Sequence, residues 1–284
     1  MNQFKTLALL SVLSALLISI SYMLIGGVQG AIIGVGLAAV TNLVSWYSSD
    51  KIALAAYRAQ PISQAEAPEL YQMVKRLSDR ANIPMPKLYM VPSPGANAFA
   101  TGRDPEHAAV AVTQGIVQLL PKDELEAVIA HELGHVKNRD TLTQAVAATV
   151  AGAISSLAHM AGYGMMFGSR DRQGGNPIGL LLAMFLAPVA ASVIQFAISR
   201  TREFEADAAS ARLTGNPRAL ARALQRLEQG ARQVPMGGNP AFAPLLIIPA
   251  MPAQLLSKLF STHPSTEARV QNLLKLEQEL VGRA

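Results

Sequence analysis

Two uncharged stretches, residues 7–25 and 28–46, constrain this chain more than any other feature. Each is about the 20 residues that a helix needs to cross a hydrocarbon core of roughly 30 Å. Only Gly26 and Gly27 separate them, so they predict a transmembrane hairpin. The first stretch is longer than the apolar region of a signal peptide, and no small-residue cleavage site precedes the second. Gly26, Gly30 and Gly34 are four apart, which leaves two readings: close helix approach, or glycines tolerated in lipid for no packing reason. Composition agrees with a membrane protein. Of 284 residues 50% are hydrophobic and only 15% charged, with a mean hydropathy of +0.26, too apolar for an ordinary soluble domain. The net charge of +5 comes from dispersed Lys and Arg without aromatic interleaving, so positive-inside loops explain it better than nucleic-acid binding. With no cysteine, disulfides and thiolate ligands are excluded, and any metal must rest on His, Asp and Glu.

From Asp50 the chain turns polar. Ser63-Gln64-Ala65-Glu66 has capping-box spacing and predicts an amphipathic helix to Ala81, with Leu70, Val74 and Leu77 on its apolar face. Pro84 and Pro86 end it. Short strands are expected at 87–91 and 107–112, with 97–102 between them, giving a small sheet. Residues 142–167 and 178–198 look like a second transmembrane hairpin around a polar loop, a buried soluble hairpin being the alternative. Within it His159 is either a relay residue or hydrogen-bonded between helices. Asn216-Pro217 opens a helix whose Arg218, Arg222 and Arg226 form a basic face, for lipid headgroups or simply for solvent. The Pro-rich apolar stretch 237–260 cannot span a membrane and suits an interfacial loop or a cleft lining.

Chemistry concentrates in the helix expected at 121–140. His131 and His135 are four apart and share a helix face, close enough to bind one metal ion. Glu132 lies beside that face, where a carboxylate reaches a metal-activated water without being a ligand. The bland alternative is a chance pattern on a polar helix turn. Val128, Ile129, Ala130, Leu133 and Val136 argue against it, because they bury the helix and buried histidines need partners. A second acidic motif follows, Arg202-Glu203-Phe204-Glu205-Ala206-Asp207. Glu203 and Asp207 share one face, whereas Glu205 is about 200° around the axis from Glu203. Glu203 is therefore the expected third ligand, and Asp207 the carboxylate that accepts a hydrogen bond from a ligand histidine. The competing reading is a helix laced by ion pairs to Arg200, Arg202 and Arg212.

His131-Glu132-Leu133-Gly134-His135, with Glu203-x-x-x-Asp207, His263-Pro264, Arg269 and Asn97-Ala98-Phe99, resembles the gluzincin-type membrane zinc metallopeptidases, and the arrangement of hydrophobic hairpins is similar to their HtpX heat-shock protease branch. The resemblance covers essentially the whole chain. It implies a mainly α fold with a small β-sheet: a zincin-like protease domain anchored by transmembrane helical hairpins. The implied division is 1–50, an N-terminal transmembrane hairpin; 51–141, the first half of the protease domain; 142–199, a second transmembrane hairpin; and 200–284, the second half with the third ligand. One zinc ion per chain, held by His131, His135 and Glu203, leaves a fourth position for water, with Glu132 as general base. By resemblance His263 stabilises the oxyanion, Arg269 holds it or pairs with substrate, and Asn97 and Ala98 lie on an edge strand that takes extended substrate. The implied activity is endoproteolysis of damaged or misfolded membrane proteins, a stress response. Expected partners are membrane-protein or unfolded polypeptide substrates and the lipid bilayer. Lys5, Lys51, Arg58, Arg200 and Arg202 flank the spans on one side, which predicts a multi-pass inner-membrane protein with a cytoplasmic active site. The proline-rich stretch before His263 departs from the family pattern. A catalytically silent membrane scaffold of the same fold is the alternative; oligomeric state is not readable.

Overall fold

Both N-terminal stretches are helical. Helices α1 (Asn2–Ile25) and α2 (Gly27–Ala56) fold back on each other at Gly26 and Gly27, whose φ values of 91° and 57° glycine adopts without a Cβ penalty. A Cβ at Gly30 would overlap the Ser21 carbonyl oxygen, and one at Gly34 would lie 2.7 Å from Ile18 Cα. The packing reading therefore holds for Gly30 and Gly34, while Gly26 serves the turn. Asn42 Nδ2 donates to Ser14 Oγ across the pair at 2.9 Å, a polar tie of the kind that joins helices in lipid. Both helices are long and apolar enough to cross a membrane, with mean hydropathies of 1.9 for Phe4–Tyr22 and 1.6 for Gly27–Ala56. Helix α2 continues beyond the expected boundary at residue 50. Its buried small residues Ser45, Ser49 and Ala53 recur every four, so the same face that packs α1 goes on to meet the polar part of the chain.

The computed structural model describes residues 2–167, 200–237, 240–248 and 264–281. The expected span 178–198, the loop before it, His263 and most of the proline-rich stretch lie outside these, as does the side chain of His159.

A four-stranded sheet comprises β1 (Gln60–Pro61), β2 (Lys87–Val91), β3 (Ala98–Thr101) and β4 (Ala109–Thr113), in the order β1-β2-β4-β3. Strand β4 is parallel to β2 and antiparallel to β3. All five β4 residues are buried because both faces are covered. Val110 and Val112 join one core with α3 (Pro68–Ala81) and α5 (Lys122–Lys137), while Ala109 and Ala111 join another with α1, α2 and α6 (Thr141–Phe167). Between β4 and α5 lies the short α4 (Gln114–Leu119). The other described helices are α7 (Arg200–Thr214), α8 (Pro217–Gln233) and α9 (Thr266–Val281), with a 3-10 turn at Pro240–Leu245.

One local expectation is corrected. Ser63 and Glu66 do exchange capping bonds, Ser63 N to Glu66 Oε2 at 2.7 Å and Glu66 N to Ser63 Oγ at 3.4 Å, but these close a separate turn. The helix starts only at Pro68, because proline disfavours helical geometry at the preceding Ala67, whose φ is −139° and ψ 63°. The arginines of α8 form a solvated face that also carries ion pairs. Arg222 reaches Asp123 at 2.6 Å and Glu124 at 3.1 Å, Arg226 reaches Glu124 at 2.9 Å, and Arg218 reaches Glu277 at 2.7 Å, joining α8 to α5 and α9.

Candidate metal centre

Helix α5 is buried on all sides from Ala127 to Val136, which carries His131, Glu132 and His135 into the interior. Helix α7 crosses it closely. A Cβ at Gly134 would lie 3.1 Å from Ala209 Cβ and 3.2 Å from Ala206 Cα, so glycine at that point lets the two backbones approach. Ser210 Oγ donates to the Ala127 carbonyl at 2.7 Å and fixes their register. In that register Glu203 faces both histidines, its carboxylate oxygens 3.9 Å from His131 Nε2 and 3.5 Å from His135 Nε2. One donor atom from each of these residues lies within 4.8 Å of the others, and all three side chains are buried. Glu205, on the opposite side of α7, is exposed.

The other nitrogen of each ring meets a carboxylate. His131 Nδ1 is 2.9 Å from Asp207 Oδ1, and His135 Nδ1 is 3.2 Å from Asp140 Oδ2. Such bonds leave Nε2 of each ring as the donor available to a metal. Asp140 escapes periodicity because it lies beyond the end of α5. Arg139, at φ 56°, turns the chain, and Asp140 N donates to the His135 carbonyl at 3.0 Å. Arg202 forms an ion pair with Asp140 from α7.

Arg269, on α9, is 1% exposed. Its Nε and Nη2 grip Asp207 at 2.9 and 2.6 Å, and its Nη1 donates to the Ile247 carbonyl at 3.3 Å and lies 3.6 Å from Glu203. The guanidinium is thus engaged inside the site and does not extend towards solvent. Asn97 and Ala98 sit at the outer edge of the sheet, as the sequence suggests, but this edge is occupied. Ile247 N donates to the Ala98 carbonyl at 3.1 Å, and Asn97 Nδ2 donates to the Ile248 carbonyl at 2.9 Å. No sequence periodicity signals this return of the chain to β3, because it follows an irregular proline-containing turn.

A cavity of about 10 Å³, room for one water-sized occupant, lies between His131, Glu132, His135, Glu203, Gln144 and the 244–247 segment. In the metal-free chain, burial pushes the Glu132 carboxyl up to about 7, although His135 and the Ala100 N–H oppose the shift. Burial and the Arg269 charge hold His131 down at about 4. Burial alone would lower His135 too, but the Asp140 hydrogen bond and the Glu203 and Glu132 carboxylates carry it up to about 9. Asp207 stays below the usual carboxylate range because Arg269 and His131 outweigh its burial. Two imidazoles and one carboxylate form the donor set of an open catalytic site, so these residues fit a metal ion.

Comparison with known proteins gives the same picture. Peptidase family M48 matches residues 64–277. Proteins named Protease HtpX homolog are 72% identical over 283 residues in Trichormus variabilis, covering 98% of both chains, and 48% identical over 279 residues in Pyrococcus furiosus, covering 97% of this chain and 96% of that one. The crystal structure of S. mikatae Ste24p shares the fold, with a TM-score of 0.51 at 22% identity over 96% of this chain; the present chain spans 65% of the length of that protein. With the buried histidine pair and Glu203 meeting in one small cavity, and with the match running through every helix that lines it, the chain belongs to peptidase family M48 and is a membrane-associated metallopeptidase of the HtpX type.

Proposed function

We propose that the chain is a zinc endopeptidase that cleaves damaged or misfolded membrane proteins at the cytoplasmic face of the inner membrane, with one zinc ion per chain held by His131, His135 and Glu203. The observation that carries this reading is the meeting of those three buried donors beside Glu132. When bound, zinc supplies Lewis-acid activation of water and of the scissile carbonyl. Glu132 takes the proton of the attacking water and returns it to the leaving amine. Asp207 and Asp140 hold the two imidazoles in the ligating tautomer, and Arg269 keeps Asp207 ionised and oriented. His263, outside the described residues, is assigned to the oxyanion on family resemblance alone. An extended substrate joining the sheet at Asn97 and Ala98 takes the place of the 246–248 segment, so that segment must move before substrate pairs with β3. The proposed division is hairpin 1–50, protease half 51–141, second hairpin 142–199 and protease half 200–284; its support is that the apolar helix α6 starts six residues after His135.

The test is Glu132→Gln in the detergent-solubilised chain. This change keeps size and hydrogen-bonding shape but cannot accept a proton near neutral pH. Metal content should equal that of the parent, while casein cleavage falls by about 10² to 10⁴. Full activity with full metal would remove Glu132 from the reaction.

A further inference from the structure

Across the α5–α6 turn from the metal centre lies a larger cavity, of about 580 Å³. Its walls include Trp46 and Tyr47 of α2, Arg103 and Asp104 after β3, Arg139 from the turn itself and Arg202 of α7. Three guanidiniums thus line it, two of them with carboxylate partners: Arg103 lies 3.4 Å from Asp104, and Arg202 is paired with Asp140. Trp46 stands 19 residues beyond Gly27, roughly 28 Å along α2 at 1.5 Å per residue, which is about the thickness of a hydrocarbon core. The cavity therefore opens at the level where tryptophan and tyrosine rings sit at a membrane surface. The Arg103 guanidinium lies over the Tyr47 ring, 5.6 Å from its centroid.

Two details of the arginines point to an anion. Arg202 Nε is buried and meets no acceptor among the described residues, although its Nη1 is held by Asp140. Arg139 adopts a φ of 56° at the end of α5, a left-handed position for which glycine is the default. A non-glycine side chain kept in such a conformation suggests a role for that side chain. Exposed apolar residues such as Phe4 and Leu43 lie along the helices close in sequence to the cavity-lining Thr6 and Trp46, so an acyl chain could run beside a headgroup seated there.

We propose that this cavity binds the phosphate headgroup of an anionic phospholipid. Guanidinium forks match phosphate oxygens in pairs, and basic pockets between spanning helices at the membrane surface are built to take such headgroups. The proposal rests on the membrane association of the chain but not on its proteolysis.

Trp46 is the only tryptophan in the sequence, so its emission reports on the cavity directly. The metal-loaded full chain in uncharged maltoside micelles is titrated with phosphatidylglycerol, phosphatidylcholine and inorganic phosphate. Phosphatidylglycerol should give a saturable change at concentrations where the other two give none. Arg103→Gln and Arg139→Gly should each weaken binding roughly fivefold, the worth of one cation at a lipid surface. Arg139→Gly also relieves the left-handed strain, and melting temperatures of both variants without lipid, compared with the parent, separate lost binding from lost folding. An equal response to phosphatidylcholine, saturation by inorganic phosphate at the same concentration as lipid, or unchanged binding in both variants would each overturn the proposal. Phosphatidylglycerol binding by a chain that cleaves no peptide would uphold this site and sink the protease reading.

Discussion

Gly134 sets the spacing on which the metal centre depends, and adding one methyl group there tests this directly. The new Cβ in Gly134→Ala would meet Ala209 Cβ at 3.1 Å and Ala206 Cα at 3.2 Å. Carbon atoms prefer about 3.5 to 4.0 Å, so α7 must retreat by roughly half an ångström. Two effects on stability oppose each other. Alanine in place of glycine favours α5 by about 1 kcal/mol, whereas overpacking a tight contact costs about 1–3 kcal/mol, leaving a net loss of about 0–2 kcal/mol. Metal binding has no such compensation. His131 and His135 flank Gly134 on α5, Glu203 is three residues before Ala206 on α7, and a site tolerates only about 0.5 Å of misplacement. Metal affinity should fall about 10- to 100-fold, the range produced by losing an orienting neighbour, while the apparent melting temperature of the metal-free protein drops by only a few degrees. Competition against chelators of graded strength measures the first, and thermal unfolding in excess chelator the second. Gly134→Ala binding metal within twofold of the parent would refute the idea that α5–α7 spacing determines the site.

Further predictions concern the charged groups around the donors. Glu203→Ala should lose the metal, whereas Glu205→Ala, on the exposed side of α7, should keep both metal and turnover; equal losses in the two variants would reassign the third ligand. Arg269→Ala leaves the Asp207 carboxylate buried without its cation and should destabilise the fold by about 3–5 kcal/mol in chemical denaturation, while Arg269→Met combined with Asp207→Leu should cost less. A double variant less stable than the single one would contradict this account. Asp140→Asn should weaken metal binding about tenfold or more with little change in circular dichroism, and parent-like affinity would show that His135 needs no orienting carboxylate.

What the sequence made legible follows the reach of periodicity. The four-residue spacing of His131 and His135, and of Glu203 and Asp207, puts each pair on one helix face, and both faces are buried and meet. Adjacent glycines between two apolar stretches mark the hairpin turn, and a 3.6-residue repeat places Leu70, Val74 and Leu77 in the core. Features that depend on how elements come together leave no such repeat. Asp140 orients His135 only because the chain reverses at Arg139, and a left-handed arginine has no sequence signature. Arg269 lies 62 residues after Asp207, on a helix whose inward turn depends on packing against α7 and α8. The capping box at Ser63 forms its own bonds but not a helix start, because Pro68 imposes a stronger local constraint. Occupation of the β3 edge by Ile247 and Ile248 is likewise a tertiary event, carried by one side-chain amide and one backbone bond.

The buried charges around the cavity form an unbalanced set. Glu132, Glu203, Asp207 and Asp140 contribute four carboxylates, all at most 2% exposed, while Arg269 and Arg202 contribute two guanidiniums. With both histidines neutral, carboxylates outnumber guanidiniums by two in this buried set of described residues. Interior charge of that kind is costly unless it is paired or neutralised. In the metal-free chain, protons take up the excess: Glu132 moves up to about 7 and His135 up to about 9, so one carboxylate and one imidazole are drawn towards their protonated forms near neutral pH. A divalent cation held by His131, His135 and Glu203 would supply the same two positive charges without either proton. It would leave Glu132 ionised as a base and His135 neutral as a ligand, the two states that metal-assisted peptide hydrolysis requires of them. The charge balance therefore argues for a divalent ion independently of the spacing of the three donors.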